Sequence, residues 1–124
     1  MSVFYVAIGG ALGAVGRYGV GLWLKTATAS GFPWATLSVN IIGSLLMGLL
    51  MGWLSRAAPS EPMRLFLAVG VLGGFTTFSA FSLDVFTLIE RRDLVLAALY
   101  ACGSVIGALA AFFLGYAALR SVGG

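Results

Sequence analysis

The sequence predicts an all-α membrane protein with four transmembrane helices, and its composition and length support that prediction. Of the 124 residues, 60% are hydrophobic and 9% are charged, whereas a soluble domain carries about 25% charged residues. So few charges cannot cover a globule in water, and lipid must surround most of the surface. A helix needs about 20 apolar residues to cross the hydrocarbon core, so four crossings fill the chain as one transmembrane domain.

The predicted spans follow one another through the whole chain with short connections. They cover residues 2–24, 34–54, 63–89 and 94–119. Lys25 ends the first span, and a loop containing glycine and proline follows it at 26–33. Pro59 and Pro62 mark the second loop, and the charged residues 90–93 form a tight turn before the fourth span.

Small residues recur every four positions in three of the spans. They are Gly9 and Gly13 in span 1, Ser44, Gly48 and Gly52 in span 2, and Gly103, Gly107, Ala111 and Gly115 in span 4. Lipid provides no hydrophobic force between helices, so close backbone approach at small residues drives their packing. The spacing therefore predicts a compact bundle, within one subunit or between subunits.

The residue types exclude most enzyme and metal chemistry. The chain has no histidine and a single cysteine, Cys102, so zinc, iron and an intramolecular disulfide are not expected. No nucleophile has a candidate base beside it. The basic residues are scattered at span ends rather than clustered on one face, which argues against a nucleic-acid partner. We expect a non-enzymatic membrane protein.

The basic residues that flank the spans are shared equally between the two sides of the membrane. Each side carries three: Arg56, Arg64 and Arg120 with the termini, and Lys25, Arg91 and Arg92 opposite. Because an excess of Lys and Arg normally sets the cytoplasmic side, this balance favours insertion in both orientations and an antiparallel homodimer. The alternative is that Arg17 or the charged N-terminus biases the orientation.

Arg17 is the only basic residue inside a predicted span. An arginine at the centre of a membrane helix costs about 2.5 to 3.5 kcal/mol on insertion scales. Its charge is permanent at ordinary pH, so beside a water-filled entrance it would attract anions. Two alternatives remain open, namely extension of the side chain to the nearer interface and pairing with Asp84.

Span 2 places three polar side chains on one helical face. Thr36, Asn40 and Ser44 are four residues apart. Their hydroxyl and amide groups can donate hydrogen bonds to a dehydrated anion. Hydrogen bonding to a neighbouring helix is the alternative, and it is common for such residues.

The stretch 70–82 combines a poor helix with a cluster of phenylalanines. Gly73 and Gly74 are adjacent in mid-span, and two threonines follow them. An unwound turn would free backbone carbonyls, which suit a hard cation such as Na⁺. After it, Phe78 and Phe81 lie on one side of the resumed helix, where positive ring edges can hold a small anion. Alternatively, both rings pack against neighbours or face lipid.

Taken together, three motifs resemble the fluoride channel family called Fluc or CrcB. The first is GGALGAVGRY at 9–18, the second is TLSVNIIGS at 36–44, and the third is GGFTTFSAFS at 73–82. The third motif is the most specific. All three occur in the family's order and spacing, and the resemblance covers the whole chain.

The resemblance implies a dual-topology homodimer with two fluoride pores, in which the third helix is broken. It implies pore roles for Thr36, Asn40, Phe78, Ser79, Phe81, Tyr100 and Ser104, and a vestibule role for Arg17. It also implies that the backbone carbonyls of Gly73 and Thr76 from both subunits hold a structural Na⁺ at the dimer interface. We therefore expect passive fluoride export across the plasma (inner) membrane of a bacterium.

The sequence departs from the family pattern at three positions. Ala80 replaces a usual threonine, Asp84 stands where glutamate is usual, and Ala108 stands where a further serine extends the polar track. We expect these changes to alter conductance at most.

Two other functions are compatible with four short spans. A small multidrug-resistance exporter would need a membrane-embedded carboxylate, but span 1 contains only Arg17, and Asp84 lies near a span end. A scaffold subunit that transports nothing would leave the weakened third span unexplained.

Overall fold

The computed structural model describes residues 2–57 and 59–122, and the regular structure in this part of the chain is helical. The elements are α1 (Ser2–Trp23), α2 (Lys25–Thr28), α3 (Trp34–Leu54), α4 (Glu61–Arg64), a π-helical stretch (Leu65–Leu72), α5 (Gly73–Phe75), α6 (Phe78–Glu90) and α7 (Leu94–Val122). A π-helix is uncommon and often accompanies a functional site.

Within residues 2–57 and 59–122, four segments are long and apolar enough to cross a membrane. They are Ser2–Trp23, Trp34–Leu54, Glu61–Glu90 and Leu94–Arg120. The prediction of an all-helical, multi-pass membrane protein is confirmed. Between 11% and 22% of each apolar segment is buried within the chain's own fold. The remaining surface of each helix is therefore available to lipid or to another subunit.

The third segment changes conformation at two threonines. Thr76 has φ −83° and ψ 157°, and Thr77 has φ −152° and ψ 125°, so both are extended between α5 and α6. The sequence predicts the weak point at the glycine pair, but Gly73 and Gly74 are helical and the extended residues are the two threonines after them. Threonine suits the extended position because its hydroxyl can begin the next helix: Thr77 Oγ1 accepts a hydrogen bond from the N–H of Ala80 at 3.1 Å.

Glycines allow the helices to pack backbone against backbone. A Cβ atom at Gly48 of α3 would overlap the carbonyl oxygen of Phe112 on α7. A Cβ atom at Gly9 of α1 would lie 2.6 Å from the carbonyl oxygen of Phe66 in the π-helical stretch. The predicted packing role of the small residues is confirmed at these positions, whereas Gly103 faces open space.

The buried core lies where α6 meets α7. Leu88, Ala97 and Tyr100 are its buried members, and Phe32 and Phe81 pack against them. This core holds the aromatic side chains of the third and fourth segments in contact beside the extended threonines.

Candidate functional site

A central cavity of about 320 Å³ lies between α3, α6 and α7. Five of the predicted site residues line it: Asn40, Thr76, Phe78, Phe81 and Ser104. The rest of its lining is largely apolar and includes Met47, Val105, Ala108 and Phe112. The cavity thus combines a few hydrogen-bonding groups with apolar walls, and none of its lining side chains carries a formal charge.

Asn40 binds the backbone of the extended turn through both ends of its amide. Its Nδ2 donates to the carbonyl oxygen of Thr77 at 3.0 Å, and its Oδ1 accepts from the N–H of Thr77 at 2.9 Å. The helix is interrupted at Thr77, and these bonds give its backbone N–H and carbonyl groups partners in place of helical ones. The alternative role of Asn40, hydrogen bonding to a neighbouring segment, is therefore confirmed. The second hydrogen of its Nδ2 is not used in these bonds, and Asn40 lines the cavity.

Ser104 lines the cavity, and its buried hydroxyl is unpaired among the described residues. The residue is buried, with 6% of its surface exposed, and its Oγ atom has no hydrogen-bond partner within the described part of the chain. Most buried side-chain polar atoms have a partner. The hydroxyl of Ser104 therefore keeps an unused capacity for a hydrogen bond close to the cavity.

Three aromatic rings follow one another from the cavity into the core. The ring centroids of Phe78 and Phe81 are 5.4 Å apart, and those of Phe81 and Tyr100 are 5.2 Å apart. Phe32 then meets Tyr100 edge to face at 5.5 Å. Tyr100 is almost completely buried, but Phe78 is 76% exposed. One subunit therefore leaves the outer phenylalanine uncovered.

The hydroxyl of Tyr100 is already engaged. It donates to a carboxylate oxygen of Asp84 at 3.0 Å, and the side chain of Thr36 faces the same phenol group. The sequence analysis missed this pairing, because sixteen residues and a turn separate the two partners. In this arrangement the phenol proton of Tyr100 is committed to Asp84, and its ring packs against Phe81 and Phe32.

A second cavity, of about 300 Å³, lies on the other side of Thr77, and we call it the vestibule cavity. Arg17, Thr36, Thr77 and Ala80 are among the residues that line it. Arg17 is half-buried there, and its Nε donates to the carbonyl oxygen of Gly74 at 3.3 Å. The ion pair with Asp84 that the sequence left open is not formed among the described residues.

Ser79 lines neither cavity, whereas its neighbour Thr77, which was not among the predicted site residues, lines both. Ser79 lies on the exposed first turn of α6, where its hydroxyl is 3.2 Å from the hydroxyl of Thr77. Thr77 lines both cavities and contacts Asn40, yet the sequence analysis gave it no role. The helix-capping pattern could have identified Thr77, because threonine is a common N-cap residue and Thr77 directly precedes α6.

The carbonyl oxygens of Gly73 and Thr76 fit a hard cation. The N–H of Thr77, which would bond to Gly73 in a continuous helix, donates to Asn40 instead. The carbonyl oxygen of Thr76 accepts no hydrogen bond from the described residues. At membrane depth, carbonyl oxygens of this kind are tolerated where protein, water or an ion satisfies them, and they suit a hard cation such as Na⁺.

Comparison with known proteins places this architecture in a family. Residues 4–116 match the family model described as CrcB-like protein, Camphor Resistance (CrcB). The chain belongs to the CrcB-like family. The match includes the second and third membrane segments, most of the first and fourth, and the lining residues of both cavities, so the motifs noted at 9–18, 36–44 and 73–82 lie within it.

Several CrcB-like relatives resemble the chain over nearly its whole length. One from Novosphingobium aromaticivorans, named fluoride-specific ion channel FluC, is 54% identical over 121 residues, which are 95% of each chain. A protein of the same name from Agrobacterium fabrum is 50% identical over 98% of each chain. A third, from Thermus thermophilus, is 50% identical over 90% of this chain and 87% of the relative.

Proposed function

We propose that this chain is one subunit of a fluoride-specific channel that exports fluoride passively through the plasma (inner) membrane of a bacterium. The observation that carries the proposal is the central cavity, where an unpaired buried hydroxyl, an amide hydrogen and phenylalanine rings meet without a charged group. The CrcB-like relatives named fluoride-specific ion channels share about half of all residues with the chain and support the same function.

The cavity can replace the water around fluoride without trapping the ion. In this proposal the hydroxyl of Ser104 and the remaining amide hydrogen of Asn40 donate hydrogen bonds to the ion, and Phe78 and Phe81, which line the same cavity, offer it their positive ring edges. A fixed cation there would hold the anion too tightly, because conduction requires binding that is weak enough to leave. Chloride is larger and accepts hydrogen bonds less strongly, so a narrow apolar passage disfavours it.

The direction of transport follows from acid–base chemistry and the membrane potential. Hydrogen fluoride is a weak acid that crosses lipid as a neutral molecule and loses its proton in the cytoplasm. The anion is then trapped, and an inside-negative potential drives it outward through any selective pore. A passive channel therefore protects the cell from fluoride without an energy source.

A second, oppositely oriented copy of the chain completes the pore in this proposal. Phe78 is 76% exposed and Gly73 is also exposed, so a single subunit leaves these groups open at membrane depth. The balanced flanking charges permit both orientations. A reporter fused to the C-terminus should appear on both sides of the membrane, and its appearance on one side only would contradict the antiparallel arrangement.

A structural Na⁺ belongs to the same proposal. The carbonyl oxygens of Gly73 and Thr76, contributed by both subunits, would hold the ion at the dimer interface. When bound, the ion supplies a positive charge that satisfies carbonyl oxygens and joins the two subunits. Asn40 keeps the turn open by binding the N–H and carbonyl groups of Thr77.

Fluoride efflux from liposomes tests the proposal directly. Purified protein should release fluoride faster than chloride, whereas Phe78→Ile and Phe81→Ile should each reduce fluoride efflux by about tenfold or more, equivalent to about 1.4 kcal/mol. Phe86→Ile is the matched control, because Phe86 lies on the same helix but is exposed and lines neither cavity. Absence of fluoride efflux from the wild-type protein, or unchanged efflux in both variants, would reject the aromatic site.

A further inference from the structure

The backbones of α1 and α5 are in direct contact beside Arg17. A Cβ atom at Gly13 would lie 2.7 Å from the backbone nitrogen of Phe75, and one at Gly74 would lie 2.9 Å from the Cα of Gly10. Arg17 is one helical turn beyond Gly13 on the same face of α1. This packing fixes the start of the arginine side chain relative to the extended turn.

The interruption of the third segment leaves the carbonyl oxygen of Gly74 without its helical donor. In a continuous helix that oxygen would accept from the N–H of Phe78, but Thr76 and Thr77 are extended between them. An unpaired backbone group inside a membrane costs several kcal/mol. The Nε of Arg17 provides the missing donor at 3.3 Å.

We propose that Arg17 is a positioning residue for the cation site. By bonding to the carbonyl oxygen of Gly74, it fixes the backbone between the two proposed sodium ligands, Gly73 and Thr76. The inference rests on the proposed function, since it concerns the Na⁺ of that channel. In this inference the role of Arg17 depends on the position of its Nε atom, which donates to Gly74, and not on its charge.

Charge and position predict opposite effects on sodium binding. A nearby positive charge repels Na⁺, so charge alone predicts that removing it will tighten sodium binding and that lysine will behave like arginine. If position matters, a side chain without a donor at the Nε position will weaken sodium binding, whether or not it is charged. Three replacements of Arg17 separate these possibilities.

The replacements differ in where they place a nitrogen. In Arg17→Gln, the side-chain amide nitrogen is as many bonds from Cα as the Nε of arginine, so the donor is kept and the charge is lost. Arg17→Lys keeps the charge but places its nitrogen one bond further out, and Arg17→Met lacks both. Lys25→Met serves as the control, because it removes a positive charge from the end of the same segment.

The measurement is the melting temperature of the purified full-length protein in detergent, across a sodium series balanced with choline at constant ionic strength. A ligand that binds only the folded state raises that temperature with concentration, and a tenfold weaker site needs about ten times more ligand for the same rise. We expect Arg17→Gln and Lys25→Met to respond in the wild-type sodium range or below it. We expect Arg17→Lys and Arg17→Met to need about tenfold more sodium.

The sodium dependence of the three Arg17 variants distinguishes a role of position from a role of charge. If Arg17→Lys responds like wild type, or if Arg17→Met binds sodium more tightly, charge alone explains the residue and the inference fails. If the lysine and methionine variants do not fold while the glutamine variant does, the hydrogen bond from residue 17 to the carbonyl oxygen of Gly74 is essential. If the glutamine variant also does not fold, the inference is overturned. Wild-type fluoride efflux, measured in parallel, tests the channel function independently of these results.

Discussion

Asn40 of α3 and Thr77 of the extended turn are joined by a pair of hydrogen bonds in which one side chain replaces a helical turn. The amide donates to the carbonyl oxygen of Thr77 at 3.0 Å and accepts from its N–H at 2.9 Å. Without this pair, both backbone groups would be unsatisfied in an apolar environment. Asn40 therefore stabilises the extended turn and also lines the central cavity.

Replacing Asn40 with aspartate should affect both stability and transport. The variant keeps an acceptor for the N–H of Thr77 but loses the donor to its carbonyl oxygen, which leaves a part-buried group unpaired at a cost of about 1–3 kcal/mol. It also places a carboxylate beside the path of an anion. We expect a lower melting temperature and at least about tenfold slower fluoride efflux, or about 1.4 kcal/mol.

Ser38→Ala is the matched control for this change. Ser38 lies two residues earlier on α3, makes no hydrogen bond through its side chain among the described residues, and lines neither cavity. It should leave efflux unchanged. Wild-type efflux from Asn40→Asp liposomes would show that the amide donor is dispensable.

Ser104→Ala should separate transport from stability. The hydroxyl of Ser104 is buried and has no partner among the residues that the structure describes, so removing it costs the folded protein little and can even stabilise it. If the hydroxyl binds fluoride in transit, its loss removes a hydrogen bond to a charged group, worth about 1.5–3 kcal/mol. We expect efflux to fall by about tenfold or more while the melting temperature stays equal or rises. A parallel fall in both quantities would indicate a packing role instead.

The architecture was predictable because hydrophobic length determines it. Four stretches of about 20 apolar residues allow few alternatives in a chain of this size, and the observed segments from Ser2–Trp23 to Leu94–Arg120 follow that pattern. Glycines at four-residue spacing also indicated close packing, which Gly9 and Gly48 confirm. Both inferences depend on local composition, and a single sequence carries that information well.

The contacts within the site were less predictable, because they depend on how separate helices meet. Phe81, Asn40 and Ser104 line one cavity, and the resemblance to the channel family had grouped them. By contrast, no local pattern could show that Tyr100 would donate to Asp84 or that Arg17 would bond to Gly74. Each of these bonds joins residues from different helices, and the packing angle between helices decides which partner is within reach.

Tyr100→Phe should be tolerated by the channel. The phenol proton is committed to Asp84 at 3.0 Å, whereas the ring contacts Phe81 and Phe32. Phenylalanine keeps those ring contacts, so we expect fluoride efflux within about threefold of wild type, equivalent to about 0.7 kcal/mol. Tyr100→Leu removes the ring and should reduce efflux much further. A loss of about tenfold or more in Tyr100→Phe would instead identify the hydroxyl as a ligand for the ion.

Gly48→Ala should destabilise the fold at the contact between α3 and α7. A methyl group at Gly48 would overlap the carbonyl oxygen of Phe112, which belongs to the backbone of α7 and cannot rotate away. Overpacking of this kind costs about 1–3 kcal/mol, so the melting temperature in detergent should fall. Gly19→Ala is the control, because its added methyl group meets no atom within 4 Å, and alanine has the higher helix propensity by about 1 kcal/mol. Equal melting temperatures for the two variants would show that α3 and α7 can separate freely, contrary to the close backbone contact at Gly48.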